Sequence, residues 1–159
     1  MSVARARANH KLYLARILLS AWRAQRALEQ VPAATLNQAF AGAVRDHLVD
    51  AYGWFLLEIC PLSELPATPP RGCSELPEIA AGKALPGEVR EFMQLEGEGW
   101  LARLLSDWDE WTPPRRQGLQ GAPSLAAPAP DQPGEEELSL WVDKLDSLFD
   151  RMGDSLDEY

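Results

Sequence analysis

Cysteine and histidine are scarce, with two of each in 159 residues. Cys60 and Cys73 are too few for the disulfide framework of a small secreted domain, so a reducing, cytoplasmic interior is expected. No cluster with metal-ligand spacing, no glycine-rich phosphate loop and no nucleophile motif occurs, so neither a metal nor a cofactor is expected. Long apolar runs are missing too. No segment reaches the eighteen or so uninterrupted apolar residues of a spanning helix. Arg16 breaks the run LYLARILL near the N-terminus, and no small-residue cleavage site follows, so no signal peptide is expected. Bases are outnumbered: 15 Lys and Arg stand against 24 Asp and Glu, a net charge of −9. That sign disfavours nucleic acid as a partner of the whole chain, and no membrane association is expected.

What the chain has is proline, 13 residues of it, and enough apolar content (46%) for one core. Proline removes a helical donor and clashes with the preceding turn, so it partitions the sequence. Apart from Pro32, the prolines fall between 61 and 86 or between 113 and 133. Four blocks remain, at 3–31, 34–60, 87–111 and 135–157. None alternates with the two-residue period of a half-buried strand, so an all-α, four-helix bundle-like fold is expected.

At 100° per residue, Val3, Ala6, His10, Tyr13, Leu14, Ile17, Ala21, Ala24, Leu28 and Val31 share one face of the first block, and this stripe is expected to face the core. In the second block Leu36, Phe40, Val44, His47, Ala51, Trp54 and Phe55 form another. Its second half is so poor in charge that it belongs mid-bundle. The short connection at Pro32 makes these two helices an antiparallel hairpin. The third block has Met93, Trp100, Leu104 and Trp111 on one face, with a bend expected at Gly97 and Gly99. The fourth is the cleanest, with Leu138, Trp141, Val142, Leu145, Leu148, Phe149, Met152 and Leu156 facing one way and five aspartates the other.

The expected organisation is a helical core domain at 1–112, a Pro/Ala-rich linker at 113–133 and an acidic amphipathic helix at 134–159. That helix is expected to dock on its own core, because the basic first helix offers complementary charge. Exchange with a second copy would instead give a homodimer. Segment 61–86 holds enough apolar residues to fold back over the bundle, with one short helix expected around 78–83.

Residues 1–30 carry six bases against Glu29 alone, whereas 113–159 carry four bases and ten acids. The imbalance is expected to bring the first helix beside acidic ones. Arg5, Arg16 and Arg23 also fall on one line of that helix, a candidate binding face for an anion or nucleic acid. A hairpin turning at Pro32 sets His10 opposite Phe55 and puts Glu58 near it, so His10 and Glu58 form a candidate buried polar pair, structural or catalytic.

Two resemblances add to this. Arg5 and His10 have the R-x-x-x-x-H spacing of HEPN-type ribonucleases, and the resemblance ends there, since Ala6 replaces the usual polar residue and the pair opens the chain. The stretch NHKLYLAR (Asn9, Lys11, Leu12, Tyr13, Ala15, Arg16), followed by His47, Leu48, Leu56, Leu57, Glu58 and Ile59, resembles a family of small helical proteins of unknown function from Pseudomonas and related gamma-proteobacteria. It spans residues 5–60. It implies a bacterial cytoplasmic protein with an N-terminal helical hairpin, and lends no activity, cofactor or catalytic residue.

The expected function is non-enzymatic: an interaction or adaptor protein that binds another protein through its acidic and tryptophan-bearing helices. The alternative is anion or nucleic-acid binding through Arg5, Arg16 and Arg23. The third reading is a hydrolytic enzyme centred on His10 and Glu58.

Overall fold

The computed structural model describes residues 2–106, 108 and 132–157. Within them lie five α-helices and one 3-10 turn: α1 (Val3–Leu28), α2 (Ala33–Ile59), the turn Cys73–Glu75, α3 (Gly87–Gly97), α4 (Trp100–Leu105) and α5 (Glu135–Asp157), with no strand among the described residues. None of these helices is long and apolar enough to cross a membrane. The linker expected at 113–133 falls almost wholly outside the described residues, as do Trp111 and the end of the third block.

Ser2 caps α1, its Oγ accepting the Arg5 N–H at 3.0 Å. The helix stops where Glu29 turns left-handed, at φ 52°. Pro32 then starts α2 with its φ already helical. So short a connection forces an antiparallel hairpin, as the sequence indicated. Every residue from Ala51 to Leu57 is buried, which puts this part of α2 in the middle of the bundle. Phe55 stacks on Phe149 of α5 at 4.1 Å between ring centroids. Phe92 of α3 meets Tyr52 edge-on at 5.1 Å.

α5 follows its pattern: Leu138, Trp141, Val142, Leu145, Phe149 and Met152 are buried against α1 and α2. The expected bend in the third block is a break, with Glu98 extended and Gly99 at φ 89° separating α3 from α4. α4 is only six residues long, and Arg45 of α2 donates to the Leu104 and Ser106 carbonyls at its end, at 2.9 and 2.5 Å. Segment 61–86 does fold back as a strap. Pro70 is buried, and a Cβ on Gly53 would lie 2.1 Å from the Pro70 carbonyl oxygen. The short helix expected at 78–83 is instead a turn, Lys83 N–H to Ala80 carbonyl at 3.1 Å, because Gly82 takes φ 83°.

α1 departs from expectation. Its buried residues are Ala4, Ala8, Leu12, Ala15, Leu19 and Trp22, and the stripe assigned to the core faces outward. Val3, Tyr13, Ile17 and Leu28 are 60, 60, 47 and 55% exposed. Two physical reasons select this rotation. The three alanines let the α1 backbone lie close to α2. The arginine line borders the buried stripe, so this rotation alone carries it to the acids of α5.

Hairpin register is also about one turn tighter than expected. Lys11 pairs with Asp50 at 3.2 Å, and the Arg7 guanidinium lies 4.4 Å from the Trp54 ring centroid. His10 is therefore level with Ala51 rather than Phe55.

Candidate functional site

The three arginines do share a line, and α5 occupies it. Arg5 donates to the Phe149 carbonyl at 2.5 Å and to Asp150 at 2.9 Å. Arg16 reaches Asp143 at 3.3 Å and Asp146 at 3.0 Å. Arg23 bonds Glu135 and Ser139, and Arg26 takes the second Glu135 oxygen at 3.0 Å. Glu135 is only 4% exposed, and a carboxylate so buried requires such partners. The charge asymmetry between the chain's ends is thus expressed as a seam between α1 and α5.

His10 and Glu58 are not brought together. His10 is exposed, and half-buried Glu58 accepts a hydrogen bond from Ser2. In the tighter register Glu58 is level with the start of α1, about seven residues, or about 10 Å of helix axis, from His10. Arg5 and His10 likewise diverge, since five residues turn a helix by about 140°.

A polar knot that the sequence did not reveal ties α2, α3 and the strap. Glu96 Oε1 accepts the Tyr52 hydroxyl at 2.5 Å and the Cys73 amide at 2.8 Å, and the Cys73 sulfur lies 3.6 Å from the same hydroxyl. Burial, and then the Glu96 hydrogen bond, raise the Tyr52 hydroxyl well above its ordinary range. Burial likewise pushes the Cys73 thiol up to about 12 and Cys60 up to about 11. Both thiols are neutral at pH 7, so neither is an activated nucleophile. No local pattern announces this knot, because its three residues come from three separate segments.

Among the described residues no tryptophan marks an exposed surface. Trp22, Trp54 and Trp141 are buried, and Trp100 and Trp108 are partly buried. Between α3, α4 and α5 a hollow of about 430 Å³ is lined by Leu95, Trp100 and Leu148, but Glu91, Asp143 and Lys144 also line it. Among the described residues no group of three or more His, Cys, Asp or Glu is placed to hold a metal ion.

The outward face of α1 is different in kind. Val3, Ala6, His10, Tyr13, Ile17, Ser20, Ala21, Ala24, Ala27 and Leu28 are all exposed and include no Asp, Glu, Lys or Arg. The six bases of this helix lie to either side or inward. An outward helical face of a soluble protein is ordinarily its most charged. Its sequence signal was present, as the stripe read as core.

Across residues 1–159 the chain matches a family of unknown function, DUF6586. The chain belongs to that family. No curated protein and no solved structure matches it. Membership of DUF6586 carries no stated activity, so the chemistry of this member has to be argued from its own surfaces. Of these, the α1 face combines apolar side chains, absence of charge and exposure along the whole helix.

Proposed function

We propose that this DUF6586 protein is a non-enzymatic interaction protein of the bacterial cytoplasm, and that it engages a protein partner through the outward face of α1. The observation that carries this reading is the charge-free apolar stripe running the length of a 26-residue helix. Interface centres are depleted in charge and enriched in apolar and aromatic side chains, and exposed apolar stripes on soluble proteins mark association sites. Tyr13 and Ile17, near mid-helix, are the anchors. A bilayer is the poorer counterpart, since the α5 carboxylates paired with Arg5, Arg16 and Arg23 offset the bases that would otherwise draw this side of α1 to anionic lipid. Two unpaired cysteines accord with a reducing compartment.

The test compares the full-length chain with its Tyr13→Glu/Ile17→Glu variant as tagged baits in cells of the native host. Cross-linked partners, further copies of the chain included, are identified by mass spectrometry. A partner recovered by the wild type and lost by the folded variant is expected. Equal recovery by both, or none by either, rejects the surface.

A further inference from the structure

Resting on the reading of this face as an interaction surface, we infer that its occupant is a second copy of the same chain, packed antiparallel about a two-fold axis between residues 13 and 17. Val3, His10, Ile17 and Ala24 recur every seven residues along the exposed face, with Ala6, Tyr13, Ser20 and Ala27 between them. This 3-4 spacing is the seam of a two-helix coiled coil, in which a second helix inserts its side chains between those of the first. Among the described residues no part of the bundle packs on this seam, and what fits its repeat is another helix with a matching one.

The order of side chains along the seam is close to palindromic. In an antiparallel pair with residue i facing residue 30 − i, Tyr13 packs on Ile17 of the second copy and Ala6 on Ala24. His10 faces the Ser20 hydroxyl, which can accept or donate to its ring. Large residues meet at the axis, small ones to either side, and the two polar positions find each other. A parallel pair would set His10 on His10 and lose that match. At the rim Arg16 approaches its own copy, but Asp143 and Asp146 of α5 already neutralise each one. A two-fold arrangement of this sort is isologous and closes at two subunits.

A helix of this length presents a strip about 39 Å long and about 10 Å wide, on the order of 400 Å² a copy. A standard stable interface uses about 800 Å² a partner, so the dimer belongs to the small, weak class of interfaces.

Sedimentation equilibrium of the full chain from about 1 µM to about 1 mM tests this. Wild type is expected to pass from monomer to dimer, and Tyr13→Glu/Ile17→Glu, at unchanged melting temperature, to stay monomeric or bind at least tenfold more weakly. Should that variant melt early, the gentler Ala24→Glu gives the same reading. A mixture of His10→Cys and Ser20→Cys chains is expected to form a disulfide-linked heterodimer under mild oxidation, and neither variant alone to do so. A wild type that is monomeric throughout, a dimer indifferent to these substitutions, or equal cross-linking of His10→Cys with itself overturns the antiparallel copy. The bait comparison decides separately whether the face binds anything, so a foreign partner recovered by a monomeric wild type rejects the second copy and keeps the surface.

Discussion

α1 and α5 lie side by side and are joined by arginine–carboxylate pairs, yet their sequences instruct them differently. α5 has one apolar face, and its opposite side carries Asp143, Asp150, Asp154 and Asp157, so only one rotation can be buried. α1 has two apolar faces, separated by arginines and lysine. Periodicity names the buried side of a helix when the other side is charged. When it is not, the choice falls to neighbours: here, small residues against α2 and bases against α5.

The comparison breaks or holds first on stability. Phe149→Ala in α5 and Leu12→Ala on the inner face of α1 remove fully buried side chains and are expected to cost about 3–5 and about 2–4 kcal/mol. Ile17→Ala on the outer face is expected to stay within about 0.5 kcal/mol in dilute solution. Denaturant titration of the three variants checks this, and a large loss from Ile17→Ala would mean that the two faces of α1 are not distinct.

Next comes the seam. Replacing both Arg23 and Arg26 by Ala leaves Glu135 buried without a cation and is expected to cost about 2–3 kcal/mol. Arg16→Ala, whose carboxylate partners are exposed, should cost no more than about 1 kcal/mol. Equal losses in the two variants would show that burial of Glu135 is not what makes its pairing strong.

A change of pH isolates the knot from the seam. Between pH 8 and pH 10 arginines and carboxylates keep their charge, so α1 and α5 remain paired. Cys60, Cys73 and Tyr52 have folded-state pKa values raised above their unfolded ones, so the stability they contribute is complete below about pH 8 and is lost as pH rises. The unfolded chain ionises first, and a loss of about 1–2 kcal/mol is expected by pH 10, with half-buried Cys73 contributing less because water screens it. Thermal melts at the two pH values measure it. No change, or a gain, would show that these groups are not held neutral by burial.

Much of the fold was legible because its punctuation is local. Pro32, Pro61 and Pro86 stand at helix boundaries, Gly99 marks the break between α3 and α4, and the α2 segment from Ala51 to Leu57 is apolar on every side and buried on every side. The hairpin register was not legible, since it depends on how tightly Glu29 and Pro32 turn the chain. The candidate sites fared worse for a related reason. Arg5, Arg16 and Arg23 were correctly placed on one line, but what meets that line comes from residues 135–150. The His10 and Glu58 pairing failed with the register. Tyr52, Cys73 and Glu96 converge only after the strap has folded back, and nothing near any one of them in sequence points to the other two.

The close approach of the strap at Gly53 has a consequence for how this chain can vary. A glycine in mid-helix is ordinarily a weak point, and replacing it with alanine ordinarily strengthens the helix by about 1 kcal/mol. Here the space that a methyl group would fill belongs to the Pro70 carbonyl. The identity of residue 53 is therefore dictated by backbone seventeen positions later, and improvement of α2 in isolation is closed off by the segment that must lie across it. The two positions form a single unit of inheritance: strap and glycine have to change together or not at all.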